Sequence, residues 1–155
     1  MEKIKLSLLE KLFIFEEGFR TKRYICSKGH PTIGIGHKLL KSEKFVTITK
    51  EQVFELFQKD MAIARKAANK YSWFKDLNEP RQAIILSMIF QLGAKGFAYF
   101  KQTIRYIELE QFNAAANEML DSAWAKQTPN RAKLHSKQFM TGGWIQEYVN
   151  FNIEI

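Results

Sequence analysis

The sequence predicts an α+β fold, mainly α, in a single domain of 155 residues, with a small hairpin lobe near the N-terminus and a larger helical lobe after it. Three observations carry this expectation. Apolar residues recur at helical spacing over most of the chain, a short Gly-rich stretch over 24–36 alternates like paired strands, and residues 83–92 are apolar on nearly every side. With 46% hydrophobic residues there is enough apolar surface for a packed core, and only 3 Pro and 8 Gly leave little composition for linkers.

Within residues 4–15, Leu8, Leu9, Leu12 and Phe13 share one helical face, and Gly18 follows as a stop signal. Thr32, Ile33 and Ile35 then alternate with Gly34 and Gly36, which reads as a hairpin. First helix and hairpin together span about 1–49. Thr49 with Gln52 forms a capping-box pattern, after which Val53, Leu56, Phe57, Ala64 and Ala67 draw an apolar stripe along a connecting helix over about 50–70. Asp60 lies on that stripe, and a buried carboxylate requires a partner.

The remaining lobe, about 71–155, is expected to centre on a helix begun by Pro80 and punctuated by Gly93 and Gly96. Further helices are expected over 97–107, 110–120 and 129–140, the last opened by Thr128-Pro129 and closed by Gly142-Gly143. No internal repeat or low-complexity tract is present.

Composition limits function only coarsely. A net charge of +8 favours polyanions, but no block resembles a basic arm or a nucleic-acid recognition motif, so no nucleic-acid partner is expected. A single cysteine excludes an internal disulfide and permits accumulation in a reducing cytoplasm. The apolar N-terminal stretch is interrupted by Glu10, Lys11, Glu16 and Glu17, unlike a signal peptide or a membrane span, so no stable membrane insertion is expected.

Glu17, just past the first helix and beside the hairpin, is a candidate general acid, although a Glu at a helix end is more often merely solvated. Its surroundings raise its standing. Glu17-Gly18-Phe19-Arg20, then Tyr24 and Cys26, then Thr32-Ile33-Gly34-Ile35-Gly36-His37 resemble the phage-type lysozymes, whose signature is a Glu, eight residues, an Asp or Cys, five residues and a Thr. The likeness continues through Met88-Ile89-Phe90-Gln91-Leu92-Gly93, Trp124, Gln127-Thr128-Pro129-Asn130-Arg131-Ala132-Lys133 and Thr141-Gly142-Gly143-Trp144.

The resemblance implies a two-lobed lysozyme-like fold and a muramidase, or endolysin, that cuts β-1,4 links between N-acetylmuramic acid and N-acetylglucosamine in peptidoglycan. Glu17 is then the proton donor and must stay protonated near neutral pH, which a partly apolar setting favours and the implied pairing with Arg131 opposes. Thr32 matches the threonine that holds the attacking water; on strand preference alone it is an ordinary β-branched residue.

Cys26 stands where many relatives have Asp. Either the local field makes it a thiolate, or it only shapes and polarises the water site, or it simply packs. Relatives with Asp there invert, which needs room for water between the two groups, so with Cys26 the stereochemical outcome stays open.

Phe90, Gln91, Phe100, Trp124, Gln127 and Arg131 match or adjoin substrate contacts of the family, the aromatic ones serving equally well as core. His37 and Asp60 match a structural pair. No metal and no cofactor is implied, and a monomer is expected, held in a cytoplasm until another protein's help releases it to the periplasmic wall. Two other readings stand beside hydrolysis: a lytic transglycosylase, and a wall-binding protein that has lost turnover.

Overall fold

The computed structural model describes residues 4–155 and divides them into two compact units: 4–63 with 151–155, and 64–150. Helix α1, Leu8–Glu17, opens on a capping box in which the Glu10 amide donates to Ser7 Oγ and the Ser7 amide donates to Glu10 Oε1. The expected hairpin is a three-stranded antiparallel sheet, β1 Arg20–Ile25, β2 Pro31–Gly34 and β3 His37–Lys38, in that order. Tyr24 pairs with Thr32 and Thr32 with Lys38, while Ile25 pairs with Pro31 and Ile33 with His37. Because a strand's side chains alternate, the first set shares one face and the second set the other.

From β3 the chain loops back to the outer edge of β1, where Lys22 bridges to Thr47. Arg23 ties this loop down, its guanidinium donating to the carbonyls of Phe45 and Glu43. Helix α2, Lys50–Ala68, follows the closed Thr49–Gln52 capping box and carries the chain from one unit into the next. The core of the first unit joins Leu12, Phe13 and Ile14 to Ile33, Ile35, Val53 and Phe57, with the Phe13 and Phe57 rings edge-on at 5.2 Å.

The second unit is helical. Helix α3, Glu79–Ala98, is capped by Asn78 and buries 83–89 without a gap, as its all-round apolar sequence requires. Gly93, at φ 78° and ψ 164°, is not helical and divides Glu79–Ala98 into two helical stretches across a kink, as its place in the sequence led one to expect, and the segment expected over 97–107 is divided between the second stretch and helix α4, Lys101–Glu108. Then come α5 Phe112–Leu120, α6 Ala123–Gln127, α7 Pro129–Thr141 and α8 Gln146–Val149. The short α6 and α8 have no sequence expectation: four or five residues are too few for a period to register. Arg81 closes the C-terminal end of α7, donating to the carbonyls of Phe139 and Met140.

Candidate active site

Glu17 is the last residue of α1. Gly18, at φ 81°, ends the helix with its amide on the Ile14 carbonyl and turns the chain into β1. This sets the Glu17 side chain directly on the turn between β2 and β3. A Cβ at Gly36 would come within 2.8 Å of Glu17 Cβ and 3.0 Å of its Cγ and Oε2, so the carboxyl rests against bare backbone.

Thr32 and Cys26 meet on the sheet face that also carries Tyr24 and Lys38. The Cys26 amide donates to the His30 carbonyl across a tight turn, and Thr32, only 3% exposed, donates its hydroxyl to the same carbonyl at 2.9 Å. The half-buried Cys26 thiol is held below its usual range, first by the backbone amide of His30, then by that of Lys28, with Thr32 and the Lys38 ammonium adding to them against the opposing effect of burial. One hydroxyl hydrogen on Thr32 thus has two acceptors in reach, the His30 carbonyl and Cys26 Sγ, and a rotor of this kind follows the charge of the sulfur.

Tyr24 joins this group to Glu17. Burial pushes its phenol up; the Arg20 guanidinium, 4.6 Å above the ring, opposes, and the charges of Glu17 and Cys26 push it further up. In the sequence Tyr24 belongs to the motif without a role of its own, and nothing there marks Lys38. The overlooked signal is parity: residues 24 and 26 are two apart on the strand's line and face the same way.

His37, on the other sheet face, lies between two carboxylates. Its protonated ring donates Nδ1–H to Asp60 on α2, 2.8 Å from Oδ2, and Nε2–H to Glu43, 3.0 Å from Oε1. The Asp60 hydrogen bond, helped by Glu43 against burial, raises His37 to about 9. Burial would raise Glu43, but the Leu40 amide and His37 outweigh it and hold the carboxyl below its usual range. Glu43 comes from the loop, and nothing in the spacing around it marks it as a partner.

Because the folded pKa of His37 exceeds the unfolded one, its contribution is complete below about 6.5 and is lost as pH rises through about 9. The parent should therefore lose about 3 kcal/mol of unfolding free energy between pH 6 and pH 10 that a His37→Gln variant does not lose. Denaturant titrations at both pH values measure this, and parallel losses in the two proteins would contradict the clamp.

In the second unit, Trp124 on α6 is buried and donates its indole N–H to Gln91 Oε1 at 2.8 Å, while Phe100 meets the indole edge-on at 5.9 Å. Phe100, Trp124 and Gln127 line one pocket of about 530 Å³ together with Tyr99, Lys101 and Asp121. Gln91 is tied to this pocket through the indole. Phe90 and Arg131, both half-buried, stand outside its lining. Among the described residues no three His, Cys, Asp or Glu side chains gather as metal ligands.

Comparison with known proteins adds an independent finding. The family described as phage lysozyme matches residues 15–137. Probable T4-type lysozyme 2 of Dictyostelium discoideum is 28% identical over 92% of the chain and 99% of that protein. The endolysin of Salmonella phage P22 is 34% identical over 72% of the chain and 76% of its own length. The pre-baseplate central spike protein Gp5 of Enterobacteria phage T4 is 29% identical over 82% of the chain, which corresponds to 26% of that larger protein.

Proposed function

From the premise that the chain belongs to the phage lysozyme family, we propose how its residues divide the work of hydrolysing peptidoglycan. The protein is a lysozyme, and the bacterial cell wall is where it acts. The bond we assign is the β-1,4 link between N-acetylmuramic acid and N-acetylglucosamine. Glu17 gives its proton to the bridging oxygen as the C–O bond breaks, so the departing sugar leaves as a neutral alcohol.

Water supplies the new bond to the anomeric carbon. Thr32, which both donates and accepts, orients it, and Cys26 in its thiolate form takes the proton that water sheds. The observation that carries this reading is the pairing of a carboxyl laid on the Gly36 turn with a lowered thiol touching Thr32, both felt by Tyr24. His37 and Asp60 are assigned to holding the sheet against α2, not to the chemistry.

In the second unit, the pocket of Phe100, Trp124 and Gln127 suits a sugar, with aromatic rings for its C–H face and an amide for its hydroxyls. Gln91 holds the indole in place, and Phe90 and Arg131 are assigned to further substrate contact. The protein works as a monomer and, needing no disulfide, waits in a cytoplasm until release.

Digestion of purified peptidoglycan by the parent and by Cys26→Ala, across pH and with fragments read by mass spectrometry, tests the scheme. We expect reducing muramic ends from both proteins and a rate about a hundredfold lower in the variant. Anhydro-muramic ends would make the enzyme a transglycosylase, and a parental rate in Cys26→Ala would remove the thiol from the reaction.

A further inference from the structure

The net positive charge of this chain is not spread over it. Residues 20–50, which are the sheet, the loop returning from it and the first residue of α2, hold eight Lys and Arg against the single carboxylate of Glu43, which is +7 of the chain's net +8. Arg20, Lys22, Arg23, Lys28, Lys38, Lys41, Lys44 and Lys50 are all exposed. Glu43 is already engaged by His37, and none of Lys22, Lys28, Lys38, Lys41 and Lys44 has an ion-pair partner among the described residues. Unpaired like charges crowded on one small sheet repel one another, and an external polyanion relieves that repulsion.

The apolar side chains among these cations point to what kind of polyanion it is. Ile25 is 63% exposed, Leu40 64% and Val46 67%, and all three belong to this same stretch. Bonding places them on one lobe: Ile25 pairs with Pro31, whose carbonyl accepts from the Leu39 amide beside Leu40, and the Val46 carbonyl accepts from Arg23 on the outer edge of β1. A soluble phosphate polymer has no use for bare aliphatic groups, and a nucleic acid would favour aromatic faces on which bases stack. A lipid surface uses both features, cations at the headgroups and aliphatic side chains at the acyl boundary. No single helix among the described residues is long and apolar enough to cross a membrane.

We propose that the three-stranded sheet and its return loop form a docking surface for an anionic phospholipid membrane, with Lys22, Lys41 and Lys44 at the headgroups and Leu40 and Val46 entering the boundary. This surface is separate from the assigned bond cleavage: vesicle binding involves no turnover, so either idea can fail without the other.

Co-sedimentation with vesicles of equal parts phosphatidylglycerol and phosphatidylcholine, against vesicles of phosphatidylcholine alone, provides the test. The parent should bind the first and not the second, and binding should weaken with salt. Lys22→Glu, Lys41→Glu and Lys44→Glu combined should lower the partition by about a hundredfold. Leu40→Ser with Val46→Ser, which leaves every charge in place, should lower it by about tenfold.

Both variants should keep the parental circular dichroism and the parental rate on lipid-free peptidoglycan, which shows that the loss is one of docking and not of folding. Equal binding to both vesicle types, or parental binding by the charge-reversed variant, would overturn the proposal. So would parental binding by the Leu40 and Val46 variant together with complete stripping by soluble polyphosphate, which would make the surface a reader of phosphate polymers.

Discussion

A Glu17→Gln protein should fold as the parent does and hydrolyse walls at least a hundredfold more slowly, with a loss of up to about ten thousandfold within reach. The amide has nearly the shape of the carboxyl but has no acidic proton to give to a departing sugar oxygen. Glu17 sits at the end of α1 with its stem packed on the Gly36 turn, so the substitution keeps that contact and removes the acidic proton. Turbidity clearing of cell walls, with circular dichroism and a thermal melt as controls, measures the effect. A variant that clears walls at the parental rate would end the assignment of Glu17 as the acid.

Gly36→Ala should be nearly as damaging, by a different route. At φ +64° an alanine is strained by about 1–2 kcal/mol. Its Cβ would also stand 2.8 Å from Glu17 Cβ, an atom next to the α1 backbone that cannot swing away as a side-chain tip can. Relief therefore requires moving the carboxyl, and a displacement of about 1 Å at a reacting group costs about a hundredfold in rate. Gly93→Ala serves as the reference, since Gly93 has a similar φ of +78° but nothing within 4 Å of the added atom. Both variants should lose stability, Gly93→Ala through a backbone conformation of φ +78° and ψ 164° that is essentially restricted to glycine, and only Gly36→Ala should lose turnover; equal activity losses per folded molecule would mean that the Glu17 contact has no catalytic consequence.

The legible part of the site was the part written at short range. Glu17, Cys26 and Thr32 stood out because their residue types and separations match the signature of the phage-type lysozymes, while Gly18 marked where α1 ends and the Thr49–Gln52 capping box where α2 begins. Asp60 could be seen to need a partner because its place on an apolar stripe is a property of helical period. Glu43 could not be seen, since its reach to His37 depends on a loop path held by Arg23, twenty residues and more from its anchoring carbonyls. The indole bond between Trp124 and Gln91 was equally hidden, joining two helices 33 residues apart.

The order and kind of the main elements and the crowding of positive charge into residues 20–50 were determined by the sequence itself, the elements because periodicity and capping act between near neighbours. Only tertiary structure decided that a glycine lies under the Glu17 side chain and that His37 is clamped from both sides. Those relations come from close packing and loop closure between distant segments, where a shift of an ångström replaces one neighbour with another and no local pattern records which is chosen.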